Sequence, residues 1–388
     1  MKRKIPAFLL PIILLLLVFP LAPAAADPVP PQVAATSAVM INADTGQLLY
    51  SVNPDAHLAM ASTTKMMTAL IIIEKCRDLK APVTTSERAA TIGESSIFLK
   101  AGDTLSVQEM LNGLLIQSGN DAAIALAEYE AGSEEAFVDQ MNKRAAQLGM
   151  TNTHFVNAHG LDADGHYTSA ADFARLGREL MKHPEICEIV KRTSYDINWP
   201  GDPVPRTMIT HLHVMETHPE INGIKTGFTD NAGQCVVVSA SQNGVNLIIS
   251  YLGGPSLDQR DADILSLEQY GFDSYQQKTV IARGNEYASV DVPFNHDKKL
   301  PLTAEEDVSR LVYMKSDVEQ HLVLPDELQL PIHKGDRIGL VEITENGKYV
   351  GSTYLLASED IKEPGVTERM SYYMHSAFGF LLSAARVN

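Results

Sequence analysis

A serine and a lysine stand three positions apart in the stretch STTKMMTAL, residues 62–70. On a helix, residues separated by three positions project from the same face, so the side chains of Ser62 and Lys65 can meet. A serine hydroxyl is a weak nucleophile until a base takes its proton, and a lysine is such a base only when burial or nearby positive charge lowers its pKa. The apolar residues that follow Lys65 predict burial, so this pair could perform nucleophilic catalysis.

Taken alone, the Ser-x-x-Lys pattern is weak evidence for catalysis. A chain of 388 residues contains about one or two such patterns by chance. An alternative interpretation is that Ser62 caps the N-terminus of a helix while Lys65 reaches solvent. Further motifs are needed to separate the two interpretations.

Two further polar triplets interrupt apolar stretches of the chain. The triplet Ser-Gly-Asn at 118–120 separates two helical patterns, where a turn can direct a hydroxyl and an amide into a cleft. The triplet Lys-Thr-Gly at 225–227 begins a strand pattern, where a small residue lets another backbone approach and a lysine can hold a carboxylate. Taken singly, each has a plain alternative: a polar loop, and an exposed strand lysine. The occurrence of all three motifs in this order favours catalysis.

Regular secondary structure is predicted around all three motifs. In chain order, the predicted elements are a β-hairpin over 37–53, an apolar helix from about 62 to 75, a helix, loop and helix over 107–130, an amphipathic helix over 133–150, and two adjacent antiparallel strands over 223–254. The helix that follows Ser62 is apolar nearly all round, which places it in a core.

The chain changes character after about Tyr275. Short stretches rich in Val, Leu and Ile alternate with Pro, Gly, Asn and Asp turns, which predicts a small all-β domain. Helical spacing returns over 366–388, where the apolar positions are Met370, Tyr373, Met374, Ala377, Leu381 and Ala385. Phe378 and Leu382 interrupt the polar face, so periodicity leaves open whether this helix lies on a membrane or packs against the protein.

The first 26 residues have the pattern of a secretory signal. A basic head is followed by an apolar stretch from Ile5 to about Leu21 and by small residues at Ala22, Ala24 and Ala26. Cleavage is expected after Ala24 or Ala26, and an uncleaved membrane anchor is the alternative. Either way, the rest of the chain is expected to be exported.

The composition supports a large core and disfavours some partners. With 45% apolar and 20% charged residues, the chain can form two folded units plus processing segments. A formal net charge of −17 without a local basic patch predicts no nucleic-acid binding. Cys76, Cys187 and Cys235 lie far apart in apolar surroundings, which predicts buried free thiols and neither disulfides nor a metal site.

The stretch HGLDADGH, residues 159–166, carries four potential metal ligands. These are His159, Asp162, Asp164 and His166. An EF-hand loop that began at Asp162 would need a glutamate at its twelfth position, where this chain has Phe173. We therefore expect a structural loop near the active site, with neither a metal ion nor a cofactor.

Five stretches of the chain resemble one known enzyme family. They are STTKMMTAL, ESSIFLKAGD (94–103), LIQSGNDAA (115–123), NAHGLDADGHYTSAADFARL (157–176) and GIKTGFTDNAGQC (223–235). Together they resemble the serine D-alanyl-D-alanine carboxypeptidases, the low-molecular-mass penicillin-binding proteins, over about residues 35–275. A closely related signature, Ser-x-x-Lys, Ser-Asp-Asn and Lys-Thr-Gly, is known in penicillin-binding proteins and class A β-lactamases.

The resemblance implies an α+β fold with a definite order of parts. A β-lactamase/DD-peptidase-like domain, in which an antiparallel sheet packs with helices, would be followed by a small all-β domain and a C-terminal amphipathic helix. The predicted boundaries are 1–26 for the signal peptide, 27–275 for the peptidase domain, 276–365 for the β-rich domain and 366–388 for the helix. The family architecture also favours a helix that lies on the outer face of the cytoplasmic membrane.

The same resemblance implies a role for each motif residue. Ser62 would attack the carbonyl between the two terminal D-alanines of a peptidoglycan stem peptide, with Lys65 as proton acceptor and Ser118 as proton relay to the leaving amine. The expected substrate-binding residues are Asn120, Lys225, Thr226, Gly227 and Phe228. The backbone N–H groups of Ser62 and Phe228 would stabilise the oxyanion, and Lys225 would face the terminal carboxylate and help to keep Lys65 neutral. Water would then hydrolyse the acyl-Ser62 ester.

The sequence departs from the family pattern in one stretch and at one further position. Relatives are expected to carry an Asn-x-Asn-x-Leu stretch before the third motif, where this chain has THLHVM, residues 210–215. Ala158 also stands where a proline is common. The first departure affects the expected substrate contacts and leaves the catalytic set intact.

The leading hypothesis is an exported DD-carboxypeptidase that trims pentapeptide stems in the wall space and is acylated by β-lactams. A β-lactamase would need a fast deacylation route, in class A a glutamate-positioned water, and no matching loop stands out in the sequence. A DD-endopeptidase would use the same residues on cross-linked substrates. A non-catalytic, penicillin-sensing wall-binding module would be expected to lose Ser62, Lys65 or Lys225, yet all three are present.

Overall fold

A computed structural model describes residues 27–199 and 201–384, with side chains described up to residue 376. The predicted signal peptide, residues 1–26, lies outside the described residues, as do the last four residues of the predicted C-terminal helix. The domain boundaries stay a prediction.

Nine strands and eight helices make up the described chain before residue 275. The strands are β1 Ser37–Asn42, β2 Leu48–Val52, β3 Pro82–Thr84, β4 Thr104–Ser106, β5 Ser194–Ile197, β6 Arg206–Ile209, β7 Ile221–Thr229, β8 Gly233–Gln242 and β9 Val245–Gly254. The helices are α1 Lys65–Lys75, α2 Glu87–Thr91, α3 Val107–Leu115, α4 Asn120–Ala131, α5 Glu134–Gln147, α6 Ala170–Leu180, α7 Pro184–Val190 and α8 Leu257–Asp273. Two 3-10 helices, Ala61–Thr64 and His213–Glu216, complete the set.

A five-stranded antiparallel sheet, in the order β2-β1-β9-β8-β7, separates two helical layers. Successive side chains on a strand point to opposite faces, so Val236 and Val238 pack with Ile264 of α8, while Val237 packs with the helices of the other face. Gly177 of α6 allows close approach there, because a Cβ on it would lie 2.9 Å from Val237. The sheet therefore holds α6 and α8 at fixed positions on either side.

The helix α1 lies in the middle of the larger helical layer. Its first eight residues, 65–72, are all buried, as the apolar sequence predicted. It packs against α3, α4, α5 and α6. The helix α3 begins with a capping box between Ser106 and Glu109, and α4 begins directly at Asn120. The second motif thus lies in a short turn between two buried helices.

The chain beyond residue 275 forms two further antiparallel sheets and a terminal helix. Their elements are β10 Tyr275–Ile281, β11 Glu286–Asp291, β12 Lys299–Ala304, β13 Val308–Tyr313, β14 Val318–Val323, β15 Arg337–Glu345, β16 Lys348–Ala357 and α9 Val366–Ala384. The larger sheet has the order β11-β12-β16-β15-β14, and β10 pairs with β13. Leu300, Leu302, Val341 and Leu355 are fully buried in its separate core. The predicted α+β fold with a following all-β part is confirmed.

The helix α9 packs against the β-rich part through aromatic contacts. The ring of Tyr372 stacks on His296 with 4.1 Å between centroids, and Phe294 meets Tyr372 edge-on. Among the described residues, no helix is both long and apolar enough to cross a membrane.

Candidate active site

A tight 3-10 turn positions the serine of the first motif. The turn spans Ala61–Thr64 and leads into α1 at Lys65. Ala61 has φ +47°, a left-handed conformation that non-glycine residues rarely adopt. The side chain of Lys65 is fully buried. The interpretation in which Lys65 reaches solvent is therefore wrong.

Three groups surround the amine of Lys65. Its Nζ lies 2.8 Å from Ser62 Oγ, 2.7 Å from Asn120 Oδ1 and 2.6 Å from the backbone oxygen of His159. A neutral amine has two N–H donors and one lone pair, and the oxygens of Asn120 and His159 can only accept. When both N–H bonds point at these acceptors, the lone pair faces the Ser62 hydroxyl. This arrangement suits a base that takes the proton of Ser62.

Burial and positive charge both favour the neutral form of Lys65. Its pKa is lowered well below the ordinary lysine value, first by burial and then by the charge of Lys225, while Asp121 acts in the opposite direction. The pKa of Lys225 is itself lowered to about 7, by burial and by the charge of Arg260. Lys225 thus carries a full charge only in mildly acidic solution, where it lowers the pKa of Lys65 most strongly.

The second motif contributes one free hydroxyl and one anchored amide. Ser118 has φ +67°, and its buried Oγ has no hydrogen-bond partner among the residues that the structure describes. Asn120 accepts from Lys65 through Oδ1 and donates from Nδ2 to the Gly93 oxygen at 3.1 Å. The Asn120 side chain is therefore fixed at both ends, whereas the Ser118 hydroxyl is available to a ligand.

Asp121, the next residue, holds the loop 94–103 against the second motif. Its carboxylate accepts hydrogen bonds from the Ser96 hydroxyl at 2.6 Å and from the backbone N–H groups of Ile97 and Leu99 at 3.0–3.1 Å. This fixes the segment from which Glu94 and Ser95 line the cleft. No sequence pattern marked Asp121 for this role.

The third motif lies on β7, the edge strand beside the 3-10 turn. A Cβ on Gly227 would lie 2.8 Å from the backbone nitrogen of Ser62, so this close approach requires a glycine. Lys225 and Thr226 are buried next to it, whereas the ring of Phe228 is 57% exposed at the cleft. The N–H of Ser62 and the strand near Phe228 thus lie together, and the oxyanion role of these groups stays a prediction.

A cleft of about 300 Å³ joins the motifs. Of the predicted site residues, Ser62, Ser118, Thr226, Gly227 and Phe228 line it directly, whereas Lys65, Asn120 and Lys225 lie behind its wall. The cleft has further lining residues that were not predicted from the sequence, namely Glu94, Ser95, His211, His213, Gln234, Leu257 and Arg260. His211 and His213 occupy the stretch that departs from the family pattern.

Arg260 is the missed residue with the clearest chemistry. It lies in the first turns of α8, and its guanidinium donates to Asp261 Oδ1 at 2.7 Å and 2.9 Å. The side chain is 2% exposed, yet it contributes to the wall of the cleft. An arginine keeps its charge at all relevant pH values, so the cleft retains a cation even when Lys225 is neutral.

The loop around HGLDADGH contacts Lys65. His159 supplies the backbone oxygen that binds Lys65, and its ring lies 3.4 Å from Glu134. Burial, followed by the charge of Lys65, lowers the pKa of His159 to about 3. In the part of the chain that the structure describes, no group of three or more His, Cys, Asp or Glu side chains could hold a metal ion.

A serine at the cleft in contact with a buried lysine, an anchored asparagine and a cationic cleft on an antiparallel sheet define a serine acyl-transferring enzyme with the fold of penicillin-binding proteins. A family model described as D-alanyl-D-alanine carboxypeptidase matches residues 24–256, and one described as penicillin-binding protein 5, C-terminal domain, matches residues 275–363. The chain belongs to the D-alanyl-D-alanine carboxypeptidase family. The predicted family and its class, serine-type DD-carboxypeptidase, are confirmed.

Individual relatives resemble the chain over most of its length. The D-alanyl-D-alanine carboxypeptidase DacF of Bacillus subtilis is 36% identical over 85% of this chain and 87% of its own. DacA of Escherichia coli is 31% identical over 90% of this chain and 89% of its own. The solved structure of penicillin binding protein 5 from Haemophilus influenzae covers 86% of this chain and 99% of its own, with a TM-score of 0.63 and 30% identity.

Proposed function

We propose that this protein removes the terminal D-alanine from peptidoglycan pentapeptide stems through an acyl-Ser62 intermediate. The observation that carries the proposal is the contact of Lys65 Nζ with Ser62 Oγ at 2.8 Å, made while the amine is fully buried and its pKa is lowered. The names of the relatives, which are D-alanyl-D-alanine carboxypeptidases, support the substrate class.

Acylation follows from the contacts of the first two motifs. Lys65 takes the proton of Ser62 as the oxygen attacks the carbonyl between the two D-alanines, and the backbone N–H of Ser62 supports the developing oxyanion. The leaving amine of D-alanine then needs a proton, and the free hydroxyl of Ser118 is suited to relay one. Because Asn120 and His159 hold Lys65 in place, little reorganisation is needed during the step.

Deacylation uses the same base on water. Once D-alanine has left the cleft, a water molecule can occupy its place, give its proton to Lys65 and attack the ester of Ser62. A β-lactam forms the same ester by ring opening, which accounts for acylation by penicillins. No contact among the described residues favours a β-lactamase, an endopeptidase or a non-catalytic wall sensor. The relatives named D-alanyl-D-alanine carboxypeptidase support the carboxypeptidase function.

The direct test is release of D-alanine by the purified protein. A pentapeptide that ends in D-Ala-D-Ala is expected to yield free D-alanine, whereas a matched peptide that ends in D-Ala-L-Ala is not expected to be cleaved. A fluorescent penicillin should label the same sample covalently. If the wild-type protein released no D-alanine from the first peptide, the proposed activity would be wrong.

Arg260→Gln is expected to raise KM for the pentapeptide acid by about 10- to 100-fold, the loss typical of a charge-assisted hydrogen bond. Arg260, which lines the cleft, and Lys225, which lies behind its wall, are the basic groups that suit the terminal carboxylate. A pentapeptide with a C-terminal amide carries no such charge, so its KM should change little. Arg283→Gln, on an exposed residue of the β-rich part, serves as the control. If the acid and the amide lost affinity equally, Arg260 would have a structural role only.

We further propose that the protein works in the wall space at the outer face of the cytoplasmic membrane. The exposed apolar residues Met370, Tyr373 and Met374 of α9 support contact with lipid. Tyr372 stacks on His296, which joins α9 to the β-rich part. Removal of residues 1–26 as a signal peptide belongs to the same proposal.

A chain that ends at Glu363 is expected to stay in solution, whereas the full chain should float with vesicles of phosphatidylethanolamine and phosphatidylglycerol. The measurement is the fraction of protein found with the vesicles after flotation in a density gradient. Both proteins should release D-alanine from a soluble pentapeptide at the same rate, because none of the described residues that line the cleft belongs to α9. If the full chain stayed in the vesicle-free fractions to the same extent as the shortened chain, membrane binding by α9 would be contradicted.

A further inference from the structure

A loop outside the three motifs wraps the turn that carries Ser62. We name residues 154–168 the histidine loop, since it contains His154, His159 and His166. The backbone oxygen of Ala158 accepts a hydrogen bond from Thr68 of α1 at 2.6 Å. Besides the hydrogen bond that Lys65 donates to the His159 oxygen, the loop therefore has a second attachment to α1, and a third one reaches the 3-10 turn itself.

That third attachment is a series of hydrogen bonds in which each group donates to the next. The backbone N–H of Val156 donates to His166 Nδ1 at 3.0 Å, so the neutral ring carries its proton on Nε2. His166 Nε2 lies 2.9 Å from Thr64 Oγ1 and donates to it. The Thr64 hydroxyl in turn donates to the backbone oxygen of Ala61 at 2.8 Å. Each donor in the chain has one acceptor, which leaves no ambiguity in the arrangement.

The end of this chain is the peptide group that joins Ala61 to Ser62. In a planar trans peptide, the C=O of one residue and the N–H of the next point in opposite directions. A bond that fixes the direction of the Ala61 oxygen therefore also fixes the direction of the Ser62 N–H. This N–H is the expected oxyanion donor, and it lies against Gly227 of the third motif.

The Ala61–Ser62 peptide needs such support, because its backbone is strained. Ala61 has φ +47°, a conformation that costs roughly 1–2 kcal/mol and persists only where the surroundings impose it. Gly160 of the histidine loop covers the same carbonyl so closely that a Cβ there would lie 2.0 Å from the Ala61 oxygen. The loop thus holds this carbonyl both by the close packing of Gly160 and through the hydrogen bonds of His166 and Thr64.

The ring of His166 is buried and keeps one protonation state at neutral pH. His166 and Thr64 are 6% and 0% exposed, so water does not compete for their bonds. Burial, followed by the charge of His154, lowers the pKa of His166 to about 4. The ring therefore stays neutral, with the same tautomer, throughout the neutral range.

We propose that His166 is a positioning residue for catalysis, which acts through Thr64 to aim the Ser62 N–H at the oxyanion. The proposal rests on the proposed function of Ser62 as nucleophile. His166 touches neither substrate nor the reacting atoms; it sets the orientation of the peptide that does. Its loss should weaken interactions made in the transition state and leave ground-state binding of the peptide unchanged.

The test compares His166→Ala, Thr64→Val and Thr64→Ser. The first two break the chain and are expected to lower kcat for the pentapeptide, and the rate of acylation by a fluorescent penicillin, by about 10- to 100-fold with KM within about twofold. Thr64→Ser keeps the hydroxyl and should stay near the wild-type rate. The double variant of His166 and Thr64 should be no slower than the slower single variant, because both act through one chain.

A spectroscopic readout separates orientation from general damage to the fold. The carbonyl stretch of the penicilloyl ester on Ser62 reports the strength of the oxyanion hydrogen bonds, and in His166→Ala it is expected to move to a higher wavenumber. His154→Ala is the matched control, since the ring of this exposed histidine of the same loop donates to the Gly165 oxygen and takes no part in the hydrogen bonds that join His166, Thr64 and Ala61. It should change neither the rate nor the stretch.

Specific outcomes would overturn the proposal. It is wrong if Thr64→Val acylates at the wild-type rate, if KM rises while kcat stays constant, or if the carbonyl stretch does not move. Should His166→Ala fail to fold, Thr64→Val still decides the question, because it preserves side-chain shape and removes only the hydroxyl. Failure of the proposed function is distinguishable, since the wild-type protein would then release no D-alanine.

Discussion

Ser62→Ala is expected to abolish both D-alanine release and covalent labelling by a fluorescent penicillin. The Ser62 oxygen lies 2.8 Å from Lys65 Nζ and lines the cleft, and without it no acyl ester can form at this position. Loss of an activated serine nucleophile lowers kcat by about 10⁶-fold in a serine peptidase. Both effects are measured on one sample, D-alanine by a coupled oxidase assay and the label by gel fluorescence.

Ser118 makes this experiment discriminating, because its hydroxyl is also buried at the cleft and has no partner among the described residues. If Ser62→Ala still took up the label, another residue would be the nucleophile and the assignment of Ser62 would fail. Ser118→Ala is expected to take up one equivalent of label more slowly, since it loses only the proton relay. Ser51→Ala, on the exposed side of β2, is the control and should behave as wild type.

The residue types of the site could be predicted because they lie in short contiguous motifs. Ser62 and Lys65 are three positions apart on one helical turn, and the apolar run behind them indicates burial of the lysine. The turn between two helical patterns likewise located Ser118 and Asn120. In each case the signal is local, but each motif alone had a plain alternative, so the joint occurrence of the three motifs and the family resemblance were needed to assign roles.

The remaining contacts of the site come from segments far apart in the chain. His159 reaches Lys65 through a backbone oxygen, which every residue type possesses, so no sequence pattern marks it. Arg260 lies in a helix with acidic neighbours and looks like an ordinary surface residue until α8 packs on the sheet. Only the packing of α8 against β8 and β9 places Arg260 at the cleft.

The predicted start of α1 was slightly wrong for a physical reason. A helix from about Ser62 was expected, whereas the residues Ala61–Thr64 form a 3-10 turn and α1 begins at Lys65. The strained φ of Ala61 violates the local preference of an alanine. Such conflicts between local preference and structure concentrate at functional sites, where surrounding contacts impose the strain.

Lys65→Arg is expected to lower the rate of Ser62 acylation by about 10²- to 10⁴-fold, the usual contribution of a general base. A guanidinium keeps its charge and can only donate, so it cannot take the Ser62 proton. Lys65→Met, of similar length and without nitrogen, should lose activity to the same degree. The acylation rate constant with a fluorescent penicillin is the measurement, and a rate within tenfold of wild type in either variant would exclude Lys65 as the base.

The pH dependence of acylation tests how the lysine is kept neutral. The wild-type rate should fall on acidification in proportion to the neutral fraction of Lys65, with a midpoint well below the ordinary lysine pKa. Because the charge of Lys225 lowers the pKa of Lys65, its removal in Lys225→Gln should move the midpoint to higher pH. Lys315→Gln, on an exposed residue, should leave the midpoint in place. An unchanged midpoint in Lys225→Gln would mean that burial alone keeps Lys65 neutral, and that Lys225 serves only the substrate.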